Sequence, residues 1–273
     1  MECFSLDEIK DIELDLLIQF DNFCKENNLK YALTYGTLLG AIRHNDFIPW
    51  DDDVDVMMPR KDFEILKELL NSGKKSIAEY ISFLSSEQDD YYYHFNKIYN
   101  NKTIAKMDNN ITKHGIWLDI FPVDSMPKSK LMSKWFHIKA RTLRNMIIAG
   151  TTDFNASNVN KVMSKKILSR ISKIIGLKRI VVYLNKYVQK YNKRNEGVVS
   201  IVHGQYSVEA DLHYEEYFDT ELHIFRDHYF EIPKGWDKIL KGMYGEYMMI
   251  PSKENQSTHY INAKYKEVKN EEI

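Results

Sequence analysis

Residues 36–60 read GTLLGAIRHNDFIPWDDDVDVMMPR and cluster four aspartates, Asp51, Asp52, Asp53 and Asp55, directly before an apolar run of strand character. Carboxylates this close repel one another, so a chain that keeps them together gains something in return. Side chains alternate faces along a strand, which sends Asp53 and Asp55 the same way, with Asp51 joining them where the backbone is already extended. Two such carboxylates lie about 7 Å apart, from a rise of about 3.3 Å per residue. Oxygen ligands of this kind suit Mg²⁺ or Mn²⁺. A solvated acidic turn is the plain alternative. An EF-hand calcium loop fails on its spacing: Asp51, Asp53 and Asp55 match its first three ligand positions, but Val56 stands where glycine is needed, Asp62 stands at the closing glutamate, and Pro59 lies inside.

Upstream, Gly36 and Thr37 fall between a strand-like KYALTY and a short helical TLLGAIR. A small residue, a hydroxyl and helix N-terminal amides at one turn suit a phosphate. Further out, SLDEIKDIELDLLIQFDNFCKENN reads as a helix, with Ser5 and Glu8 at capping-box spacing and Ile9, Ile12, Leu16, Phe20 and Phe23 on one face. VDVMM is a second strand, and PRKDFEILKELLNS a helix that Pro59 opens and Gly73 ends. YISFLS, YYYHFNKIY, TIAKM and IWLDIF read as strands by their aromatic and β-branched content. HYFEIPKGWDKILKGMYGEYMMIP reads as strand, turn, helix and loop.

The chain has 273 residues, 44% of them hydrophobic, enough for one large domain or a domain with an appendage. Its formal net charge of -1 favours no class of partner. Cys3 and Cys24 form no CxxC pair, which argues against a disulfide framework or a cysteine zinc site and for free thiols. The N-terminus lacks a basic leader followed by an apolar stretch, and no apolar run reaches the length of about 18 residues that a spanning helix needs. The expectation is an intracellular, cytoplasmic protein.

The stretch YGTLLGAIRHNDFIPWDDDVDVMMPRKDFEIL resembles the hallmark of the LicD family, which includes fukutin and fukutin-related protein. GIWLDIFPVD (residues 115–124) and YFEIPKGWDKILKGMYGEYMMIPSKENQSTH, ending at His259, agree in order. The resemblance thus runs from about residue 28 to 260 in three blocks, leaving 128–205 unmatched. It implies an α+β, nucleotidyltransferase-like mixed sheet flanked by helices. It also implies transfer of a phosphorylated small molecule from a CDP-linked donor to a glycan hydroxyl, with CMP leaving. Such a reaction needs Mg²⁺ (or Mn²⁺), a base and in-line geometry. On these terms Asp53 and Asp55 are metal ligands, with Asp51 beside them. Asp119, a charge on an otherwise apolar strand, is metal ligand or general base. Gly36, Thr37, Arg43, Lys97 and His259 are the candidate nucleotide and phosphate contacts. The tyrosines at 91–93, Trp50 and Trp117 form the pool for a choline cage.

Residues 128–195 carry 17 Lys or Arg and one acidic residue, Asp153. Isoleucines and aromatics interleave with the cations, among them Trp135, Phe136, Ile167, Ile171 and Ile174. That mix favours an anionic membrane surface over a solvated face, and no nucleic-acid signature accompanies it. The expected organisation is a catalytic core over 1–127, a basic, mainly helical insertion over 128–205 facing acceptor or membrane, and a part over 206–273 that completes the core. The expected function is transfer of phosphocholine from CDP-choline to a teichoic acid, capsule or lipopolysaccharide precursor, at the inner face of a bacterial membrane. Another CDP-linked donor (ribitol, glycerol or a phosphoamine), a true nucleotidyltransferase releasing pyrophosphate, and a metal-stabilised glycan-binding module are the rivals.

Overall fold

The computed structural model describes residues 3–107, 114–152, 163–192, 197–202, 211–256 and 260–266. Helix α1 (Leu6–Glu26) opens with the expected capping box, Ser5 and Glu8 exchanging bonds. It buries Ile9, Leu16, Leu17, Phe20 and Phe23 against a sheet. Strand β1 (Ala32–Leu33) is short because the chain turns at once into α2 (Tyr35–His44). Then come β2 (Val54–Pro59), α3 (Arg60–Asn71), β3 (Ile81–Leu84), β4 (Asn96–Asn100), β5 (Thr103–Met107) and β6 (Trp117–Ser125).

The main sheet runs in the order β1-β2-β6-β4-β3. Only β2 and β6 are parallel in it, and the neighbours on either side are antiparallel, so the sheet is mixed. Register explains its two faces. Val54 pairs with Leu118 and Val56 with Ile120, and these rows point into the core beneath α1. The row between them, Asp55 beside Asp119, points the other way. Each large apolar side chain in this core, such as Leu16, Phe20 or Ile98 at 0% exposure, contributes about 1.5–3 kcal/mol by leaving water.

The expected strand YYYHFNKIY begins only at Asn96. Tyr91 is fully buried, and its ring packs 5.3 Å from that of Tyr93. Residues 91–95 thus pack as a bent aromatic segment rather than on a ladder; their strand propensity reflects burial, which the bend supplies without pairing.

The basic segment is helical where described: α4 (Lys130–Thr151), α5 (Met163–Ile175) and α6 (Leu177–Val188). It has its own small core, built from Phe136, Ala140, Ile147, Ile180, Leu184 and Val188. Gly176, at φ +94°, breaks α5 from α6 in a conformation that suits only glycine. Strands β7 (Val198–Ser200) and β8 (Leu212–His213) extend the main sheet beside the end of β6. Past α7 (Tyr214–Phe218), the hairpin β9 (Thr220–Phe225) and β10 (His228–Pro233) and helix α8 (Trp236–Tyr244) send Phe225, Phe230, Ile232, Ile239 and Leu240 into the same core as α1 and β2. Strand β11 (Tyr260–Tyr265) pairs with β5. Among the described residues no helix is long and apolar enough to cross a membrane.

Candidate active site

The parallel pairing of β2 with β6 and the antiparallel pairing of β6 with β4 put Asp55, Asp119 and Lys97 in one lateral row. Adjacent strands lie about 4.8 Å apart, so these three heads share one small space. All are buried, at 9%, 8% and 4% exposure. The Lys97 ammonium pairs with Asp119 Oδ1. Around it stand the rings of Trp117, at 4.3 Å to the centroid, Phe95 at 5.3 Å and Tyr93 at 5.4 Å. Burial, reinforced by the charges of Asp53, Asp119 and Asp51, pushes the Asp55 carboxyl well above the ordinary carboxylate range; Lys97 opposes this.

This row floors a cavity of about 640 Å³, whose lining includes Asp51, Asp53 and Asp55 but not Asp52. Asp52 is buried elsewhere, at 1% exposure. The alternation expected of an extended chain thus holds through the loop before β2. Two contacts set that loop. Lys10, reaching up from α1, donates to the carbonyls of Ile48 at 3.1 Å and Pro49 at 2.9 Å. Gly36 leaves space for Asp51, because a Cβ there would stand 2.4 Å from Asp51 Oδ2.

Gly36 therefore sits at the cavity, against a carboxylate. Thr37 does not line it: at 2% exposure its hydroxyl accepts the backbone N–H of Asp55 at 2.8 Å, pinning α2 to β2. Tyr35, just before, holds φ at +48° and lays its ring edge-on to Phe121 at 5.0 Å. A bulky residue in the left-handed region is strained, and the strain falls at the cavity wall. Arg43 lines the cavity, but its guanidinium donates to the carbonyl of Tyr247 at 2.7 Å and to His44 Nε2 at 2.9 Å, tying α2 to the loop after α8. His259 lies outside the described residues.

Some lining residues were not singled out from the sequence. Arg144, from α4, enters the cavity beside Ile147 and Ile148. Burial lowers its pKa from the usual arginine value, with Tyr35 and Tyr93 acting in the opposite sense. Nothing local distinguishes it from the other cations of 128–195; only the packing of α4 against the core does so. The end of α8 and the loop after it add Tyr244, Glu246 and Tyr247 to the lining.

Asp51, Asp53, Asp55 and Asp119 offer a divalent cation an all-oxygen donor set, and the crowding that pushes Asp55 upward is the repulsion such an ion would relieve. Among the described residues, no three His, Cys, Asp or Glu side chains already stand close enough together to coordinate one. Lys97 pairs with Asp119 Oδ1, which leaves Oδ2 as the oxygen that Asp119 could offer a cation.

Residues 28–151 match the family described as LicD/FKTN/FKRP, nucleotidyltransferase domain. Residues 28–151 are thus a LicD-family domain. The chain is 26% identical over 277 residues to the lipopolysaccharide cholinephosphotransferase LicD of Haemophilus influenzae, across 97% of this chain and 99% of that one. Two shorter likenesses accompany it. An uncharacterised protein of Rickettsia prowazekii is 47% identical over 45 residues, 16% of this chain and 17% of its own. The mannosyltransferase regulator 4 of Saccharomyces cerevisiae is 35% identical over 54 residues, 20% of this chain and 5% of its own. The matched LicD region includes β2, β4, β6 and α4, the elements that carry the buried row and Arg144.

Proposed function

We propose that the protein transfers phosphocholine from CDP-choline to a hydroxyl of a cell-surface glycan such as lipopolysaccharide, with release of CMP. The observation that carries this reading is the row Asp55, Asp119 and Lys97 on the floor of a cavity walled by aromatic rings and by Arg144. The size suits a small-molecule donor. Tyr92, Tyr93, Trp50 and Tyr244 line it, and aromatic faces attract a quaternary ammonium. That favours choline over an uncharged alditol. The likeness to the Haemophilus influenzae enzyme along nearly the whole chain supports the same choice.

In this reading Arg144 grips the donor diphosphate from the α4 side, presenting donors in a fork that matches phosphate oxygens. Lys97 orients the Asp119 carboxylate through their ion pair. Asp119 takes the proton of the acceptor hydroxyl. The hydroxyl oxygen bonds to the phosphorus that bears choline, the bond from that phosphorus to the bridging oxygen breaks, and CMP leaves with the electron pair. Mg²⁺ or Mn²⁺, held by Asp53 and Asp55 with Asp51, would neutralise the charge that builds on the phosphate of CMP as it leaves. The rings around the site limit water, which competes with the glycan hydroxyl.

Thermal unfolding with a panel of CDP-choline, CDP-ribitol, CDP-glycerol and CTP, each with and without Mg²⁺, tests the donor. CDP-choline with Mg²⁺ gives the largest upward shift. A larger shift with CTP, accompanied by pyrophosphate release, would make the protein a nucleotidyltransferase. No shift with any donor would leave a binding module.

A further inference from the structure

Helix α5 faces the wrong way for a core helix. Its buried side chains are Ser169 and Ser172. Ser172 packs on α4 where Gly150 leaves room, its Cβ lying 3.3 Å from the position a Gly150 Cβ would take. The apolar side chains point outward instead: Met163 is 82% exposed, Ile167 53%, Ile171 44% and Ile174 85%. Steps of four, four and three residues line them up on one side of the helix. The N-terminal half of α4 repeats the arrangement with Leu131 at 66%, Trp135 at 64% and Ile138 at 42% exposure. Apolar stripes left in water mark surfaces that something covers.

The charges identify the cover. Lys166, Arg170 and Lys173 flank the α5 stripe, and Lys134 and Arg141 flank that of α4, all of them exposed. Helices α4, α5 and α6 contain no Asp or Glu. A second copy of the chain on this face would set like charges against each other. Nucleic acid would take the cations and leave isoleucine and methionine in water. A lipid surface takes both, apolar stripe into the acyl boundary and cations onto headgroup phosphates. We propose that α5 and the N-terminal half of α4 dock the protein on an anionic lipid bilayer. Trp135 suits the interfacial layer. Nine residues separate it from Arg144, about 14 Å along α4, so the helix that meets the lipid also walls the cavity.

Flotation of the full chain with vesicles of phosphatidylcholine alone, or mixed with phosphatidylglycerol, at low and high salt, tests this directly. Binding to the anionic vesicles that weakens with salt is expected. The Lys166→Gln, Arg170→Gln, Lys173→Gln triple variant weakens it about 100-fold, at about fivefold per cation. Ile167→Ser with Ile174→Ser abolishes it without lowering the melting temperature, since both side chains are exposed. The proposal is overturned by no binding to anionic vesicles, by equal binding to neutral ones, or by undiminished binding of the variants. It is equally overturned if the lipid-free chain sediments as a dimer that the isoleucine substitutions dissolve. None of these outcomes bears on the chemistry of the cavity.

Discussion

At Asp55, burial and three neighbouring carboxylates act in the same direction, and only Lys97 opposes them. Asp55→Asn removes a charge the fold resists and a ligand the chemistry needs. It is expected to lower turnover at least about 100-fold, the scale of a lost catalytic group, while the melting temperature in metal-free buffer holds or rises. Near wild-type CMP release from this variant in saturating Mg²⁺ would remove Asp55 from the site. Arg144 answers to a different readout. Arg144→Ala raises the donor KM about tenfold or more, the loss of one charge-assisted contact, with Arg144→Lys recovering part of it. An unchanged KM would leave Arg144 as a packing residue. The alternation of Asp51, Asp53 and Asp55 was legible in the sequence because a period of two follows from an extended backbone alone. The inward turn of Thr37 was not, since it depends on one hydrogen bond to the amide of Asp55. Arg144 was illegible because its entry to the cavity is a property of how α4 packs, and many cations of that segment share its local pattern.

Among the elements, α3, β6 and the close of the basic segment are joined through Asp124. Its carboxylate, at 0% exposure, receives Arg60 Nε at 2.8 Å and Nη2 at 2.6 Å and the Asn192 amide at 2.7 Å. Breaking such a pair leaves a buried cation without its partner. Asp124→Asn is expected to cost about 3–5 kcal/mol, read as a lower urea midpoint with an unchanged slope. A cost near zero would mean that solvent replaces the contact. The sequence conveyed these elements unevenly. Helix α1 announces itself by its capping box and its apolar period. The aromatic run at 91–95 does not, because propensity cannot tell a ring that lies on a strand from one that lines a bend. The outward isoleucines of α5 were expected from the cations interleaved with them, whereas Phe136, grouped with the same residues, is buried in a small core, since composition does not say which face of a helix packs.

For the whole molecule, the mixed α+β class followed from the sequence and the tail was expected to complete the core, but the contacts themselves were not legible: nothing local says that Phe225 and Ile239 share a core with Leu16. That packing has a pH signature. His94 and His114 are held neutral by burial, His94 well below the usual histidine value of 6.5 and His114 down to about 4. Both are depressed on folding, so their stability is fully present above pH 6.5 and is lost as pH falls toward 4. Asp55, raised on folding, works in the opposite sense over the acid range. Melting temperature should fall with acidification below pH 6.5, and His114→Leu should flatten part of that fall; a flat wild-type profile would contradict the burial of these rings. The central claim concerns the bond that breaks. Chromatographic analysis of nucleotide products after incubation with CDP-choline, Mg²⁺ and a glycan acceptor tests it most directly. CMP is expected in equal amount to the phosphocholine found on the glycan, with both lost in Asp55→Asn and Asp119→Asn. An intact donor, or a glycan that retains the cytidine nucleotide, would contradict it.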